Sequence, residues 1–214
     1  MASPVLAYTT RELSKKTWPD LERLFSQKNG WDHCWCMHFH RPCPLPKNQW
    51  LRTRAERGVR NRREKKKLLA RGRSHGVFVY VDGKPVGWCQ DGPKNELPRI
   101  DNNHKYRSPA PEDGTKRIWR ITCFVVDKKY RRRGIASAAL EAALEAIRNK
   151  GGGLVEAFPV YDWEGLRRSE LRRRGRVPAF GNVSTHGTMS MFEKQGFKAV
   201  APFGSINVLM RRSV

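Results

Sequence analysis

Apolar runs and amphipathic repeats alternate along the chain and predict both strands and helices. Two β-rich runs, Val77–Val81 and Val86–Cys89, flank the dipeptide Asp82-Gly83 and predict a β-hairpin. The run Ile118–Val126 is apolar almost throughout, which is typical of a strand buried on both faces. Further strands are predicted at residues 5–8, 154–160, 197–201 and 206–210.

The helical pattern is clearest after Gly134. Apolar residues recur there on one face until three glycines at 151–153 interrupt them: Ile135, Ala139, Leu140, Ala143, Leu144 and Ile147. An earlier helix is predicted to begin at Thr17 and to end at Asn29-Gly30, and a short one is predicted over 189–195. A strand, a helix and a second strand in this order predict a parallel pair of strands.

A third helix, from about residue 48 to 73, is unusually basic. Residues 51–73 hold eleven Arg or Lys and two Glu. Leu51, Ala55 and Val59 form only a narrow apolar stripe. A helix that is charged nearly all round is either a solvated surface helix or an element that binds a polyanion. A second basic stretch, 167–176, holds six Arg and one Glu.

Composition limits the function classes. Lys and Arg number 43 against 20 Asp and Glu, a net charge of +23, which favours polyanionic partners and disfavours cationic substrates. We find no apolar run long enough to span a bilayer and no secretion signal, and an odd set of five cysteines suits a reducing compartment. We therefore expect a cytoplasmic protein without membrane contact. We expect one domain over 1–214, with a basic helical insertion at about 48–73 and a basic loop at about 163–183.

The segment 31–46 concentrates Cys, His and Trp. Six potential metal ligands lie within eleven residues: His33, Cys34, Cys36, His38, His40 and Cys43. Their spacings do not match a zinc module, in which paired ligands are separated by two to four residues. Aromatic residues are interleaved among them. We therefore interpret the segment as the wall of a pocket, and we predict no metal site.

The end of the apolar run at 118–126 forms the strongest candidate for a binding site. A basic turn, Arg131-Arg132-Arg133, leads through Gly134 into the helix that begins at Ile135. Backbone N–H groups and the positive end of the helix dipole converge at such a junction. The sequence therefore predicts a site for an anion of the size of a pyrophosphate.

These motifs resemble the GNAT superfamily of N-acetyltransferases. Arg131-Arg132-Arg133-Gly134-Ile135-Ala136 matches its acyl-CoA pyrophosphate motif, and Phe124-Val125-Val126 matches the strand that pairs with the pantetheine arm. The segment Met191–Phe197 is similar to the last helix and following strand of the superfamily. Cys34-Trp35-Cys36-Met37 resembles a group of uncharacterised, mostly actinobacterial members. The resemblance covers about residues 5–210.

The resemblance implies a mixed α+β fold. Its central twisted sheet is mostly antiparallel, with about six to seven strands, flanking helices and a splayed central parallel pair. It also implies acetyl-CoA as co-substrate. The residues implied for coenzyme binding are Phe124, Val125, Val126, Arg131, Arg132, Arg133, Gly134, Ile135, Ala136 and Ser137. The amide of Val126 or a neighbour would polarise the thioester carbonyl.

The resemblance leaves the proton-transfer groups open. Phe192 stands where the superfamily often has a tyrosine as general acid, and a phenyl ring cannot donate a proton. Ser190 and Tyr161 are candidate acids, and water could also protonate the thiolate after it departs. Glu156, Asp162 and His186 are candidate bases. The residues expected to line the acceptor pocket are Trp35, Cys36, Met37 and Trp88.

Three functions follow from these observations. The first is transfer of an acyl group, expected to be acetyl, from coenzyme A to an amine on a small molecule or an aminoacyl group. The second is an acyltransferase of the same fold that uses an aminoacyl-tRNA as donor or acceptor. Its expected contacts to tRNA or another polyanion are Arg60, Arg62, Arg63, Lys65, Lys66, Lys67, Arg172, Arg173 and Arg174. The third is a binding module without catalytic activity. The sequence does not distinguish a monomer from a homodimer.

Overall fold

The computed structural model describes residues 7–26, 31–41, 53–101, 117–161, 164, 168, 185–203 and 207–214. The strands are β1 (Thr9–Glu12), β2 (Val77–Val81), β3 (Lys84–Pro93), β4 (Ile118–Val126), β5 (Leu154–Ala157), β6 (Lys198–Phe203) and β7 (Asn207–Ser213). The helices are α1 (Trp18–Ser26), α2 (Arg54–Ala70), α3 (Ile135–Asn149) and α4 (Met189–Glu193). The basic stretch at 167–176, with Arg172, Arg173 and Arg174, lies outside the described residues except for Arg168.

Within these ranges the strands form one mixed sheet in the order β1-β2-β3-β4-β5-β7-β6. Neighbouring strands are antiparallel except β4 and β5, which are parallel and joined through α3. This arrangement confirms the predicted mixed fold with a central parallel pair.

The parallel pair separates halfway along β4. Residues Ile118–Ile121 pair with β5, whereas β3 pairs with β4 as far as Val126. The register between β3 and β4 shifts where Cys123 lies opposite Gln90 but Ile121 lies opposite Asp91, so β4 holds one extra residue, a β-bulge. Beyond the bulge, the edge of β4 that faces β5 is open, and this opening creates room for a ligand.

Two hydrophobic cores lie on the two faces of the sheet. On one face α3 packs its predicted apolar residues, among them Leu140, Leu144 and Ile147, onto β2, β3 and β4. On the other face Leu21, Leu24 and Phe25 of α1 pack against aromatic residues from the 31–41 segment and β3. Burial of an amphipathic face on each side is what stabilises a central sheet of this kind.

The first strand lies later than the sequence indicated. The pattern predicted a strand at residues 5–8, but β1 spans Thr9–Glu12, and its four residues are exposed. Main-chain pairing with β2, from Thr9 opposite Tyr80 to Glu12 opposite Val77, forms this strand. An edge strand that buries little side-chain area leaves no apolar pattern in the sequence.

Helix α2 packs through a different face from the predicted one. Val59, which we expected in its apolar stripe, is 71% exposed, and the buried residues are Asn61 and Lys65. Asn61 donates hydrogen bonds from Nδ2 to the carbonyl oxygens of His33 (2.6 Å) and Cys34 (3.1 Å). Polar contacts with the 31–41 segment therefore hold this helix, and the hydrophobic pattern could not show them. Among the described helices, none is both long and apolar enough to cross a membrane.

Candidate active site

The turn between β4 and α3 has the geometry of an anion site. Arg132 and Gly134 both have positive φ, 59° and 79°. Gly134 precedes α3 without a side-chain cap, and the first intrahelical bond runs from the N–H of Ala138 to the carbonyl of Gly134 (3.0 Å). The N–H groups of residues 135–137 therefore have no carbonyl partner within the helix and face its open end.

A cavity of about 670 Å³ opens in front of this turn. It is lined by Trp31, Phe124, Val126, Lys128, Tyr130, Arg131, Arg132, Gly134, Ile135, Ala136, Ser137, Gly187, Thr188 and Met191. Eight of the ten residues expected to bind the coenzyme are in this set. Val125 is not, because it packs in the core on the α1 side of the sheet. Arg133 is not either, and its guanidinium lies 5.8 Å from the ring centroid of Tyr130.

The main chain of β4 presents one N–H group to the open edge of the strand. Asp127 donates its N–H to Val86 of β3 (2.8 Å), and Phe124 donates to the carbonyl of Thr185 on the opposite side (2.6 Å). Because successive N–H groups of a strand alternate in direction, the N–H of Val126 points away from β3. It therefore points to the side where β5 has already diverged, and Val126 lines the cavity there.

His186 lies between cavity-lining residues and the bulge of β4. Its Nδ1 is 2.9 Å from the carbonyl oxygen of Thr122, so Nδ1 carries the proton and Nε2 holds the lone pair. The ring packs edge-on against Phe39, with centroids 5.5 Å apart. Burial lowers the pKa of His186, and the hydrogen bond to Thr122 opposes this shift only in part. The imidazole is therefore neutral near pH 7.

Glu156 does not reach the cavity, which corrects its interpretation as a general base. Its carboxylate is fully buried and bonded to the guanidinium groups of Arg120 (3.2 Å) and Arg211 (3.0 Å). These arginines lie directly opposite Glu156 on β4 and β7. Arg120 also binds Asp101 through two hydrogen bonds of 2.7 Å. A carboxylate held between two cations binds the strands together and is not positioned to accept a proton from a substrate.

The candidate acids lie at the edge of the site. Ser190 is exposed, and its hydroxyl lies 3.3 Å from that of Thr188, which lines the cavity. Tyr161 is 52% exposed and does not line the cavity. Phe192 is fully buried between Phe124 and Phe197, where its ring fills the core. Asp162 lies outside the described residues.

Comparison with known proteins decides the family. A sequence model of the acetyltransferase (GNAT) family matches residues 12–162, more than half of the chain. The chain belongs to the GNAT family of acetyltransferases. No curated protein is significantly similar to this acetyltransferase in sequence.

Solved structures share the fold of this acetyltransferase at low sequence identity. An uncharacterized protein from Bacillus halodurans is 12% identical with a TM-score of 0.53, covering 96% of this chain and 83% of its own. A ribosomal-protein-alanine N-acetyltransferase from Brucella melitensis is 13% identical with a TM-score of 0.51, covering 96% and 99%. A PaiA N-acetyltransferase from Thermoplasma acidophilum, solved in complex with coenzyme A, is 15% identical with a TM-score of 0.50, covering 98% and 100%.

The residues of this acetyltransferase that were expected to line an acceptor pocket lie in its core instead. Trp35, Cys36, Met37 and Trp88 are all buried and pack together with α1 on the sheet face opposite α3. None of them lines the cavity. Trp35 stacks on Trp18 and Phe25, with ring centroids 6.1 and 5.4 Å away. The prediction of an aromatic pocket wall is therefore corrected, because these aromatic side chains are needed to fill the core beneath α1.

The basic residues of α2 divide into buried and exposed groups. Lys65 is 0% exposed and cannot contact a nucleic acid, which corrects its assignment. Arg60 is only partly exposed, and Arg62 forms an ion pair with Glu22 of α1. Arg63, Lys66 and Lys67 are exposed, although the ammonium of Lys66 lies 5.8 Å from the ring centroid of Trp18.

Several residues of the cavity were missed by the sequence analysis. Trp31, Lys128, Tyr130, Thr188 and Met191 line it beside the predicted residues. Tyr130 and Lys128 flank the basic turn in sequence, so proximity to that motif was an available signal. Trp31 belongs to the segment that was predicted to form the wall of a pocket, and the folded chain brings this residue to the cavity. Among the described residues no group of three His, Cys, Asp or Glu side chains converges as metal ligands would.

Proposed function

We propose that this GNAT acetyltransferase transfers an acetyl group from acetyl-CoA to a primary amine by direct attack. One observation carries this proposal. A single cavity is lined by the N-terminus of α3, the free edge of β4 and the segment that holds His186. Acetyl-CoA supplies a thioester whose carbonyl carbon accepts the amine. The roles of the protein are to bind, to orient and to move protons.

The turn before α3 fits a pyrophosphate. Three N–H groups at residues 135–137 and the helix dipole favour negative charge at one point. Arg131 and Arg132 line the same region and add two positive charges. Arg131 is fixed there by a hydrogen bond from its Nε to the carbonyl of Val126 (3.3 Å). Gly134 has a φ of 79°, in the left-handed region that favours glycine, which allows the chain to turn into the helix at this point.

The N–H of Val126 serves as the oxyanion donor. It lies on the open side of β4, where the pairing with β5 has ended. A donor fixed in a strand stabilises the charge that develops on the thioester oxygen without reorganising during the reaction. The β-bulge at Thr122 makes this arrangement possible, because it bends β4 away from β5 at this point.

His186 serves as general base. Its Nδ1–H is bound to Thr122, which directs the lone pair on Nε2 to the remaining side of the ring. Its lowered pKa keeps the ring neutral at pH 7, so it can accept the proton that the amine loses on attack. The residues on either side of His186 join it to the site. Thr185 accepts a hydrogen bond from the N–H of Phe124, and Gly187 lines the cavity.

Tyr130 is the proposed acid for the departing thiolate. Of the two tyrosines considered, Tyr130 lines the cavity and Tyr161 does not. Phe192 lies in the core and stands where many relatives have a tyrosine as general acid. Its position is consistent with an acid that comes from a different element in this protein.

Binding of coenzyme A tests the proposal. We expect coenzyme A at about 100 times its Kd to stabilise the protein by about 2.7 kcal/mol, measured as a thermal shift. Arg132→Glu should lower the affinity at least about ten-fold, since it reverses a charge within the cavity. Arg133→Glu is the matched control and should change it less, because that side chain does not line the cavity. A wild-type protein that shows no shift with either coenzyme A or acetyl-CoA would contradict the proposal.

A second candidate function uses an aminoacyl-tRNA as acceptor or donor. The observation that favours it is the exposed face of α2, which carries Arg63, Lys66 and Lys67 without a carboxylate bonded to them among the described residues. The acyl-CoA site accounts for only a few of the 43 basic residues. Retention of tRNA at low salt tests this candidate.

A further inference from the structure

The cavity in front of α3 has two ends of different chemistry. Among the described residues that line it, the charged ones all belong to the basic turn: Lys128, Arg131 and Arg132. Strand β4 leads away from this turn, so Phe124 lies farther from the charges than Val126 does. The lining beyond Val126 includes three apolar residues, which we call the apolar wall: Phe124, Gly187 and Met191. A ligand with an anionic end and a small apolar end fits this division.

The segment 185–188 takes the place of β5 beside the outer half of β4. Phe124 donates its N–H to the carbonyl of Thr185 (2.6 Å), and Thr188 pairs with Val160 through a parallel bridge. The N–H groups of Phe124 and Val126 lie on the same edge of β4, two residues and therefore about 7 Å apart. Thr185 occupies the first of these groups, and the second is the proposed oxyanion donor. The segment therefore limits how far a ligand held at Val126 can extend along β4.

The apolar wall is closely packed at Gly187. This residue has a φ of 80°, and a Cβ on it would lie 2.5 Å from Cε of Met191 and 3.3 Å from Cε2 of Phe124. No side chain fits at so short a distance. The methyl group of Met191 and the edge of the Phe124 ring therefore rest on the main chain of Gly187, and the wall is continuous.

Met191 is the residue of this wall whose size can set the depth of the cavity. Gly187 has no side chain, and the ring of Phe124 packs in the core against Phe192, with centroids 6.1 Å apart. Met191 lies on α4, where Thr188 caps the helix by accepting a hydrogen bond from the N–H of Met191 (3.4 Å). A methionine side chain is long and unbranched, and it fills the space that its neighbours leave.

We propose that Met191 determines the length of the acyl group that the enzyme accepts and restricts the donor to acetyl-CoA and propionyl-CoA. This inference rests on the proposed function, because it places the acyl group between the N–H of Val126 and the apolar wall. A methyl group beyond the carbonyl carbon needs about 5 Å, the sum of a bond of about 1.5 Å and a van der Waals contact of about 3.5 Å. A butyryl group is two carbons longer and meets the wall.

Binding of a series of acyl-CoA thioesters tests the proposal without the reaction. We expect calorimetry to give similar affinities of the wild type for acetyl-CoA and propionyl-CoA. The affinity for butyryl-CoA and hexanoyl-CoA should be lower by at least about ten-fold, because the extra carbons must displace packed side chains. Equal affinity for all four thioesters would overturn the proposal.

Met191→Ala should relax the restriction. The variant lacks Cγ, Sδ and Cε, which makes room for the extra carbons of a butyryl group. Its affinity for butyryl-CoA relative to acetyl-CoA should rise at least about ten-fold over the wild-type ratio, and the ratio of kcat/KM values should change in the same direction. A loss of affinity that is the same for every chain length would show a purely structural role and would overturn the proposal.

Two control variants separate chain length from other effects. Met189→Ala is the matched control, because Met189 lies on the same helix and does not line the cavity. It should keep the wild-type order of affinities. Met191→Leu nearly conserves the side-chain volume and should keep that order too. If Met191→Ala does not fold, Met191→Val replaces it and should shift the order in the same direction.

Free coenzyme A distinguishes a failure of this inference from a failure of the proposed function. If coenzyme A binds and the length of the acyl chain has no effect, the role of Met191 is wrong and the proposed function stands. If coenzyme A does not bind the wild-type protein, both the proposed function and this inference are wrong.

Discussion

At the scale of single residues, the fold places the candidate bases Glu156 and His186 in very different surroundings. The sequence offered three candidate bases, and two of them, Glu156 and His186, lie in the described part of the chain. Glu156 is bound between Arg120 and Arg211, whereas His186 is bound only at Nδ1 to a main-chain carbonyl. A base must keep a lone pair, and of these two residues His186 keeps one at Nε2 and directly precedes Gly187, which lines the cavity.

Replacement of His186 provides a kinetic prediction. His186→Gln should lower kcat/KM by about 10²- to 10³-fold, because the amine must then lose its proton to water. The acid limb of the pH profile, which falls below pH 6.5 as the ring becomes protonated, should disappear with it. Steady-state release of the coenzyme A thiol measures both effects. The thermal shift with coenzyme A should be unchanged, and a variant with full activity would exclude this base.

Asp91 carries a pH-dependent cost for the folded state. It is 1% exposed, and within the described part of the chain neither of its carboxylate oxygens has a hydrogen-bond partner. Burial raises its pKa from 3.8 to about 6, while His75 and Lys150 lower it and Glu12 raises it. The folded protein therefore holds this proton more tightly than the unfolded chain. The contribution of Asp91 to the free energy of unfolding is greatest below pH 4 and is lost as the pH rises through 6.

Asp91→Asn should remove that loss. We expect the variant to be more stable than the wild type at pH 8 by up to about 3 kcal/mol, with little difference at pH 4, because a shift of one pKa unit is about 1.4 kcal/mol. Urea denaturation at the two pH values measures the difference. Asp82→Asn, in the exposed hairpin turn, is the matched control. Identical pH dependence in the Asp91 variant and the wild type would contradict the prediction.

At the scale of elements, paired charges join three strands. Arg120 of β4, Glu156 of β5 and Arg211 of β7 lie side by side across the sheet. Hydrogen bonds between β4 and β5 end at Ile121, so little main-chain pairing holds this part of the sheet together. The ion network lies next to the point of divergence and stabilises the strands where the cavity opens.

Glu156→Gln should destabilise the protein without affecting its chemistry. Removal of one charge leaves two guanidinium groups close together in the interior, and breaking a buried ion pair in this way costs about 3 kcal/mol or more. Denaturant unfolding measures the cost. At a temperature where the variant is folded, kcat should remain close to the wild-type value. A large loss of kcat with normal stability would restore Glu156 as a catalytic candidate.

Helix α2 shows where prediction from the sequence pattern fails. It was predicted from about residue 48 to 73 and is described over Arg54–Ala70, and Thr53 caps it by hydrogen bonding with Glu56 in a capping box. Its buried face was not predicted, because hydrophobic periodicity identifies only helices that pack through apolar residues. Gly58 packs so closely that a Cβ there would lie 2.8 Å from the carbonyl oxygen of Asp32. A helix that packs through a glycine and through polar contacts shows no hydrophobic pattern in its sequence.

At the scale of the whole molecule, the net charge of +23 favours polyanionic partners. If the partner is a single-stranded or loop region of RNA, the logarithm of its affinity should fall linearly with the logarithm of the salt concentration. The double variant Lys66→Glu, Lys67→Glu should weaken the retention of tRNA on filters. It should also make the slope of that line shallower, by the amount that corresponds to about two phosphate contacts. Lys84→Glu, exposed in the hairpin turn, is the control for charge alone. Retention that is absent at low salt would exclude the tRNA function.

The sequence by itself determined the order of the elements and the parallel pair, and it predicted the basic turn with Gly134 that stands before α3. Each of these depends on local information: periodicity, turn residues, and a glycine between a strand and a helix. Tertiary structure alone decided which side chains meet. It placed Trp35, Cys36 and Lys65 in the core, brought Trp31 and Gly187 to the cavity, and turned Glu156 into a link between strands. The reason is physical, since the direction of a side chain depends on register and bulges, and contacts between distant segments are set by packing.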